Sequence, residues 1–430
     1  MRVFLLTYGT RGELEPFVAL GRALREAGHE AVLAGPASFA ALAGEHRVPF
    51  AALDDGLAAA LRDAVTGRRG GPRELTVART LAAGRPALRR VLDDAWEAAR
   101  AARPDVVVHH AFPMAGHHLA ERLGVPHALL TLDPMYLPTR AFPNPLYPAP
   151  ARLPGPLNRL TYEVPRLVWR YTAPTVDRWR REVLRLPRRR GRHDPLLRPG
   201  GGTALVLNAV SEHVVPPPAD WPGTVHTTGY LMPPPPPDWS PPPGLAAFLD
   251  AGEPPVCVGF GSAVGRDPAH TGRIVAEAVD LVGVRAVVVT GWGGIRITPD
   301  APPGRLCVVE QAPYAWLLPR TRALVHHGGG STTAALTAGT PQVVCPFRGD
   351  QPSWSQWMHR IGVAPPPVPQ SRLTAHRLAA ALRRALGDPG LRRRAASLGE
   401  RIRAEDGPAA AVRALEAAHR GSDDSSLHLR

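Results

Sequence analysis

The residues best placed to do chemistry lie in one run, His326-His327-Gly328-Gly329-Gly330-Ser331-Thr332-Thr333. The apolar residues Ala323 to Val325 precede it, and an Ala/Leu-rich segment closed by Gly339 and Pro341 follows. The pattern is strand, glycine turn, helix N-terminus. Unpaired N–H groups and the helix dipole favour an anion at such a turn, and glycines let it reach the backbone without meeting a Cβ. The run therefore reads as a diphosphate cradle, with His327 as a side-chain donor beside it. A second turn, Gly259-Phe260-Gly261-Ser262, ends another apolar run and adds a hydroxyl. Neither turn spells G-x-G-x-x-G, and no acidic residue follows at the ribose spacing, which argues against a dinucleotide. Asp350 and Gln351 follow the apolar run Gln342 to Val344, at the strand end where open α/β sheets bind ligands, and read as a sugar clamp. Glu13, after the turn Gly9-Thr10-Arg11-Gly12, is the candidate general base, since partial burial raises a carboxylate's pKa toward working pH.

Positioning these groups requires a repeated strand–helix alternation. Val3 to Thr7 reads as a buried strand, and the helix after it carries Phe17, Leu20, Ala23 and Leu24 on one face. Further apolar runs at Ala31 to Ala34, Val48 to Leu53, Pro104 to Val108 and His127 to Leu132 continue the pattern, the third of them ending at His109-His110. Runs that are apolar throughout, without a two-residue period, imply a parallel sheet covered on both faces. Residues 134–165, rich in proline and aromatics, read as an irregular loop lining an apolar pocket, excluded from regular helix and central strand. The polyproline stretch 232–243 reads as an extended interdomain linker. The expected organisation is an N-terminal domain at 1–231, the linker, a second domain at 244–420 and a disordered tail at 421–430. The fold class expected is α/β, with two Rossmann-like parallel-sheet domains facing across a cleft.

Bulk composition narrows the partners. The 430-residue chain carries a formal charge of +14, but all 51 of its basic residues are arginine, alongside 50 prolines. That is the mark of a GC-rich coding bias, and basic runs such as Arg188-Arg189-Arg190 lack interleaved aromatics for base stacking, so no nucleic-acid partner is expected. Cys257, Cys307 and Cys345 sit in apolar runs without metal or disulfide spacing. No window approaches the ~18 apolar residues of a membrane span, and Met1 leads straight into a short strand, so a cytoplasmic protein is expected. His109, His110, His117 and His118 cluster in sequence, but no Cys or carboxylate joins them, and no metal is expected.

The segment Gln311 through Val363 resembles the nucleotide-sugar signature of GT-B glycosyltransferases of the bacterial and plant UDP-glycosyltransferase family. It is especially similar to actinobacterial enzymes acting on sterols, glycopeptides and polyketides. The stretches Leu6 to Pro16 and Pro255 to Ser262 resemble the first strand and turn of the family's two domains. The resemblance implies that His327 and the backbone of Gly328, Gly329, Gly330, Ser331 and Thr332 hold the diphosphate. It implies that Ser262 assists, that Asp350 and Gln351 bind the sugar hydroxyls, and that Gln311 and Ala312 border the base. The family places its general base at Glu13, and His110 stands where plant relatives carry the base's partner, so the two are expected in mutual contact. Ser331 stands where bacterial relatives have Gly, Val309 replaces a stacking Trp of plant enzymes, and Ala335 replaces a ribose-binding Glu. The choice between a UDP- and a dTDP-sugar is thereby left open. The reaction implied is inverting, metal-independent hexosyl transfer to a hydroxyl of a largely apolar small molecule, without a cofactor beyond the nucleotide-sugar co-substrate. The alternatives are an inactive sugar-nucleotide-binding auxiliary protein and an epimerase or hydrolase on the same architecture.

Overall fold

The computed structural model describes residues 1–65, 84–147, 153–187, 193–198, 201–261, 267–291, 293–297 and 304–427. It forms two compact units: Met1–Asn144 with Ala151–Pro233 and Glu405–Arg430, and Pro234–Ala404 with Pro145–Pro150.

The first unit holds a seven-stranded sheet of β1 (Arg2–Leu6), β2 (Glu30–Pro36), β3 (Phe50–Leu53), β4 (Val106–His109), β5 (His127–Thr131), β6 (Leu205–Asn208) and β7 (Val225–Thr227). Their order is β3-β2-β1-β4-β5-β6-β7, and every pairing is parallel. The alternation of side chains explains why the central strands β1, β4, β5 and β6 are buried along nearly their whole length. Val3, Leu5, Val106 and Val108 point to one face and pack with Phe17, Leu20 and Leu24 of the helix Arg11–Glu26. Phe4, Leu6 and Val107 point to the other and pack with Leu88, Val91 and Leu92 of the helix Arg85–Ala102 and with Trp179. Burying each such side chain contributes roughly 1.5–3 kcal/mol, so both faces must be covered.

Two expectations are corrected here. The second domain was expected to run to residue 420, but the helix Gly407–Leu427 packs on the first unit, with Ala411, Val412 and Leu415 in one core cluster with the helix Arg11–Glu26 and β6. Glu416 also meets His29 at 2.9 Å. The chain turns at Asp406, whose φ of 45° ends the preceding helix Pro389–Ala404. Of the expected tail, residues 421–427 continue the helix and 428–430 lie outside the described residues. The proline-rich region 134–165, expected to be irregular, contains the 3-10 turn Pro134–Tyr136 and the helix Gly155–Leu160, and the helix Glu163–Glu182 begins within it. Pro134 and Pro156 sit in first turns, where a missing N–H costs nothing.

The second unit holds a five-stranded parallel sheet of β8 (Val256–Gly259), β9 (Ala286–Val289), β10 (Leu306–Val309), β11 (Leu324–His326) and β12 (Gln342–Val344). Its order is β10-β9-β8-β11-β12. Val256, Val258, Val288 and Val325 pack with the helices Pro268–Val282 and Ala375–Gly387. Among the described residues, no helix is long and apolar enough to cross a membrane.

Candidate functional site

Each sheet reverses its strand order once, and ligands of open parallel sheets bind outside the strand C-termini at that point. In the second unit the reversal lies between β8 and β11. The turns that follow these two strands are the two glycine turns read from the sequence.

His327 lies where they meet. A Cβ built on Gly329 would stand 2.5 Å from its Nε2, and one built on Gly261 3.2 Å from its Cε1. The imidazole is therefore flanked by two glycines. It is buried, its Nδ1 has no hydrogen-bond partner, and burial lowers its pKa to about 4, so it is neutral at physiological pH. Gly328, with φ of 90°, takes a backbone conformation that a side chain would strain, and its missing Cβ would also press on Val344 at 3.0 Å.

The backbone amides of the turn divide into two groups. Gly328 donates to His326 Nδ1 at 3.3 Å, and Thr332 donates to the Gly329 carbonyl at 2.8 Å. The backbone of the whole run from Gly328 to Thr332 is expected at the anion. The fold reserves both end amides for the turn itself, which leaves those of Gly329, Gly330 and Ser331 at the start of the helix Ser331–Ala338. The Thr332 hydroxyl is buried and has no partner.

His326, which the sequence reading passed over, is fully buried and makes three contacts. Nδ1 lies 2.8 Å from the Ser331 hydroxyl and accepts from Gly328, while Nε2 lies 3.0 Å from Gln342 Oε1. The one available signal was Gln342, a polar residue opening an apolar strand. Gln351 Oε1 accepts from the amides of Phe347 (2.8 Å) and Arg348 (3.2 Å), so the carbonyl end of the expected sugar clamp shapes its own loop and the amide NH2 is the end left to meet a ligand. Gln351 lies against Gly328, and Asp350 stands just before the helix Gln351–Arg360 without a side-chain capping bond, so cradle and clamp adjoin. Gln311 is exposed and Ala312 half-buried, both just after β10 at the same sheet edge. Ser262 lies outside the described residues.

In the first unit the reversal lies between β1 and β4; Glu13 lies in the first turn of the helix that follows β1, and His110 directly follows β4. The His110 amide donates to the Leu6 carbonyl at 2.9 Å, which fixes the two turns side by side. The expected contact between the two side chains is not formed. Glu13 Oε2 accepts from the Thr10 amide (2.6 Å) and the Thr10 hydroxyl (2.5 Å), because Thr10 and Glu13 form the capping pair of the first helix. Glu13 Oε1 is left outside these bonds. The His110 ring stands edge-on to Tyr136, 6.1 Å between centroids, and Tyr136 stacks on Trp169 at 6.2 Å. Burial lowers the His110 pKa to about 4, offset in part by the Phe112 backbone. This edge is thus a carboxylate and a neutral imidazole beside aromatic surface.

The other histidines form a buried network behind that edge. Arg180 donates to both oxygens of Glu121 (2.9 and 3.0 Å) and lies 2.6 Å from His118 Nδ1. An arginine only donates, so His118 carries its proton on Nε2, which lies 3.0 Å from His193 Nδ1. His117, His118 and His193 bring ring nitrogens within 4.8 Å of one another, but both nitrogens of His118 are already engaged, one of them by a guanidinium. The network clamps the helix Glu163–Glu182, which carries Trp169, onto the helix Gly116–Leu123.

Comparison with known proteins matches both units. Residues 3–139 fit the model of the glycosyltransferase family 28 N-terminal domain, and residues 284–418 that of the erythromycin biosynthesis protein CIII-like C-terminal domain. A sterol 3-beta-glucosyltransferase of Arabidopsis thaliana is 32% identical over 428 residues, which cover 96% of this chain and 68% of the relative. Another, of Emericella nidulans, is 33% identical over 427 residues, but the chain spans only 30% of its length. Among solved structures, the glycosyltransferase SnogD of Streptomyces nogalater superposes with a TM-score of 0.66 at 23% identity, covering 97% of this chain and 99% of that one. The Streptomyces glycosyltransferase SsfS6, solved with thymidine diphosphate, gives a TM-score of 0.64 at 21% identity, covering 97% of this chain and 99% of that one.

Proposed function

The chain belongs to the GT-B glycosyltransferase family that includes the sterol 3-beta-glucosyltransferases, and on that premise we propose that it transfers a hexose from a UDP- or dTDP-sugar to a hydroxyl of a largely apolar small molecule. The observation that carries this reading is the neutral His327 imidazole, flanked by two glycine turns at the sheet reversal, beside the amides of Gly329, Gly330 and Ser331. A diphosphate leaving group develops charge as the sugar is transferred. Fixed donors at a helix N-terminus stabilise that charge without reorganising during the reaction. Asp350 and the amide end of Gln351 bind the sugar hydroxyls next to it, and Gln311 and Ala312 border the base.

Glu13 is the proposed general base, acting through Oε1, the oxygen Thr10 does not engage. It takes the proton of the acceptor hydroxyl, whose oxygen attacks the anomeric carbon on the face opposite the diphosphate, so the configuration inverts. His110 is proposed to meet the acceptor beside Tyr136, not to orient Glu13. The aromatic surface of Tyr136 and Trp169 and the sterol 3-beta-glucosyltransferase relatives support an apolar acceptor of sterol or polyketide type. The thymidine diphosphate in the SsfS6 complex supports a nucleoside diphosphate donor. The proposed mechanism uses no metal, and the proposed compartment is the cytoplasm.

Nucleotide release from UDP- and dTDP-sugars, measured against a panel of apolar hydroxylated acceptors, tests the reading. Release that requires an acceptor supports transfer. Release without one indicates hydrolysis, and donor binding without release under any condition indicates an auxiliary binding protein.

A further inference from the structure

We propose that His326 is a positioning residue of the donor cradle: as the neutral Nε2–H tautomer it gathers the Gly328 amide and the Ser331 hydroxyl onto Nδ1, and so aims the amides of Gly329, Gly330 and Ser331 at the diphosphate. The proposal rests on the donor reading above and assigns the residue that preorganises it.

The tautomer follows from counting protons. A backbone amide only donates, so Nδ1, which receives Gly328 at 3.3 Å, carries no hydrogen. The ring proton is then on Nε2 and is donated to Gln342 Oε1 at 3.0 Å, while the Ser331 hydroxyl donates to Nδ1 at 2.8 Å. Gln342 is held in that orientation, its NH2 lying 3.8 Å from Met358 Sδ. The ring is fully buried at the end of β11, and β12, which carries Gln342, is its paired neighbour. The sheet therefore fixes the imidazole, the imidazole fixes both ends of the turn, and the three amides between are oriented before any donor arrives. Burial keeps His326 neutral, with a pKa of about 3. His327 is itself held neutral by burial. Ser331 is the first residue of the helix Ser331–Ala338, so its hydroxyl ties the helix start to the ring.

The test is calorimetric titration of the full chain with UDP and with dTDP, for the wild type, Ser331→Ala and Gln342→Glu. Ser331→Ala removes one hydrogen bond from the anchor and is expected to weaken the nucleotide Kd about fivefold while the thermal midpoint barely moves. Gln342→Glu puts a carboxylate against Nε2 and favours the imidazolium, whose Nδ1–H opposes the Gly328 amide. The ratio of variant to wild-type Kd is then expected to grow as pH falls from 8 to 6, with Nδ1 protonation of His326 visible in the ring ¹⁵N spectrum. If the wild type binds neither nucleotide, the donor reading falls and this proposal with it. If the wild type binds and both variants match it at every pH, the donor reading stands and the positioning role is overturned. Loss of thermal stability with unchanged Kd in the folded variants likewise overturns it, since that is the signature of a merely structural histidine.

Discussion

Adding a single methyl at Gly329 is expected to disable the donor site while leaving the fold in place. The φ of Gly329 lies outside the left-handed region, so alanine meets no backbone strain, and the obstacle is one side chain. The new Cβ would stand 2.5 Å from His327 Nε2, closer than any tolerable contact, and 3.2 Å from Cδ2. The ring can give way only by leaving its place between Gly329 and Gly261, where a Cβ on either glycine would stand within 3.2 Å of it. The imidazole must turn out of its slot. A hydrogen bond to a charged group contributes about 1.5–3 kcal/mol, so losing the one from His327 to a phosphate corresponds to roughly a 10- to 150-fold weaker Kd. Overpacking adds about 1–3 kcal/mol of lost stability. Calorimetric titration with UDP and dTDP measures the first, and urea denaturation the second. The decisive control is Gly329→Ala in a His327→Ala background, where the methyl has nothing to displace and is expected to change binding little. Equal weakening in both backgrounds would refute the reasoning, since the methyl would then be meeting the ligand directly.

Three further outcomes are expected. Glu13→Gln keeps an oxygen to accept from Thr10, so thermal stability should hold within about 1 kcal/mol while turnover collapses, whereas Glu13→Ala should lose both; turnover by the Gln variant near the wild-type rate would remove Glu13 as the base. His109, His110 and His327 are lowered to about 4 and His326 to about 3, against 6.5 when unfolded, so between those values the unfolded chain binds more protons and stability should fall as pH drops from 6.5 toward 4, followed by denaturation midpoints across that window. Gly116→Ala should destabilise the first unit by at least the 1–3 kcal/mol of roughly one overpacked methylene, because its Cβ would fall 2.1 Å from His109 Cγ, and near-normal stability in urea would count against the packing described.

Much of this protein was legible locally. Strands apolar at every position implied two-faced parallel sheets, and the glycine turns after β8 and β11 could be found because a sharp turn with close backbone approach depends on residues adjacent in sequence. Even the fate of Glu13 was written locally, as Thr10-x-x-Glu13, a capping spacing that competes with a catalytic reading of the same carboxylate. What the sequence left undecided depends on residues far apart in the chain. Whether His326 is filler or anchor depends on β12 lying beside β11, which brings Gln342 to its Nε2. His193 and Arg180 join His118 only once the helix Glu163–Glu182 packs against it. Leu391 to Ala418 carries no local mark of belonging to two units. Its last helix returns to the first unit because Ala411, Val412 and Leu415 complete the apolar face of β1, β4 and β5 beside the helix Arg11–Glu26. Local patterns determine which face of an element is apolar, but the surface that covers it is set by volume and register summed over the whole fold.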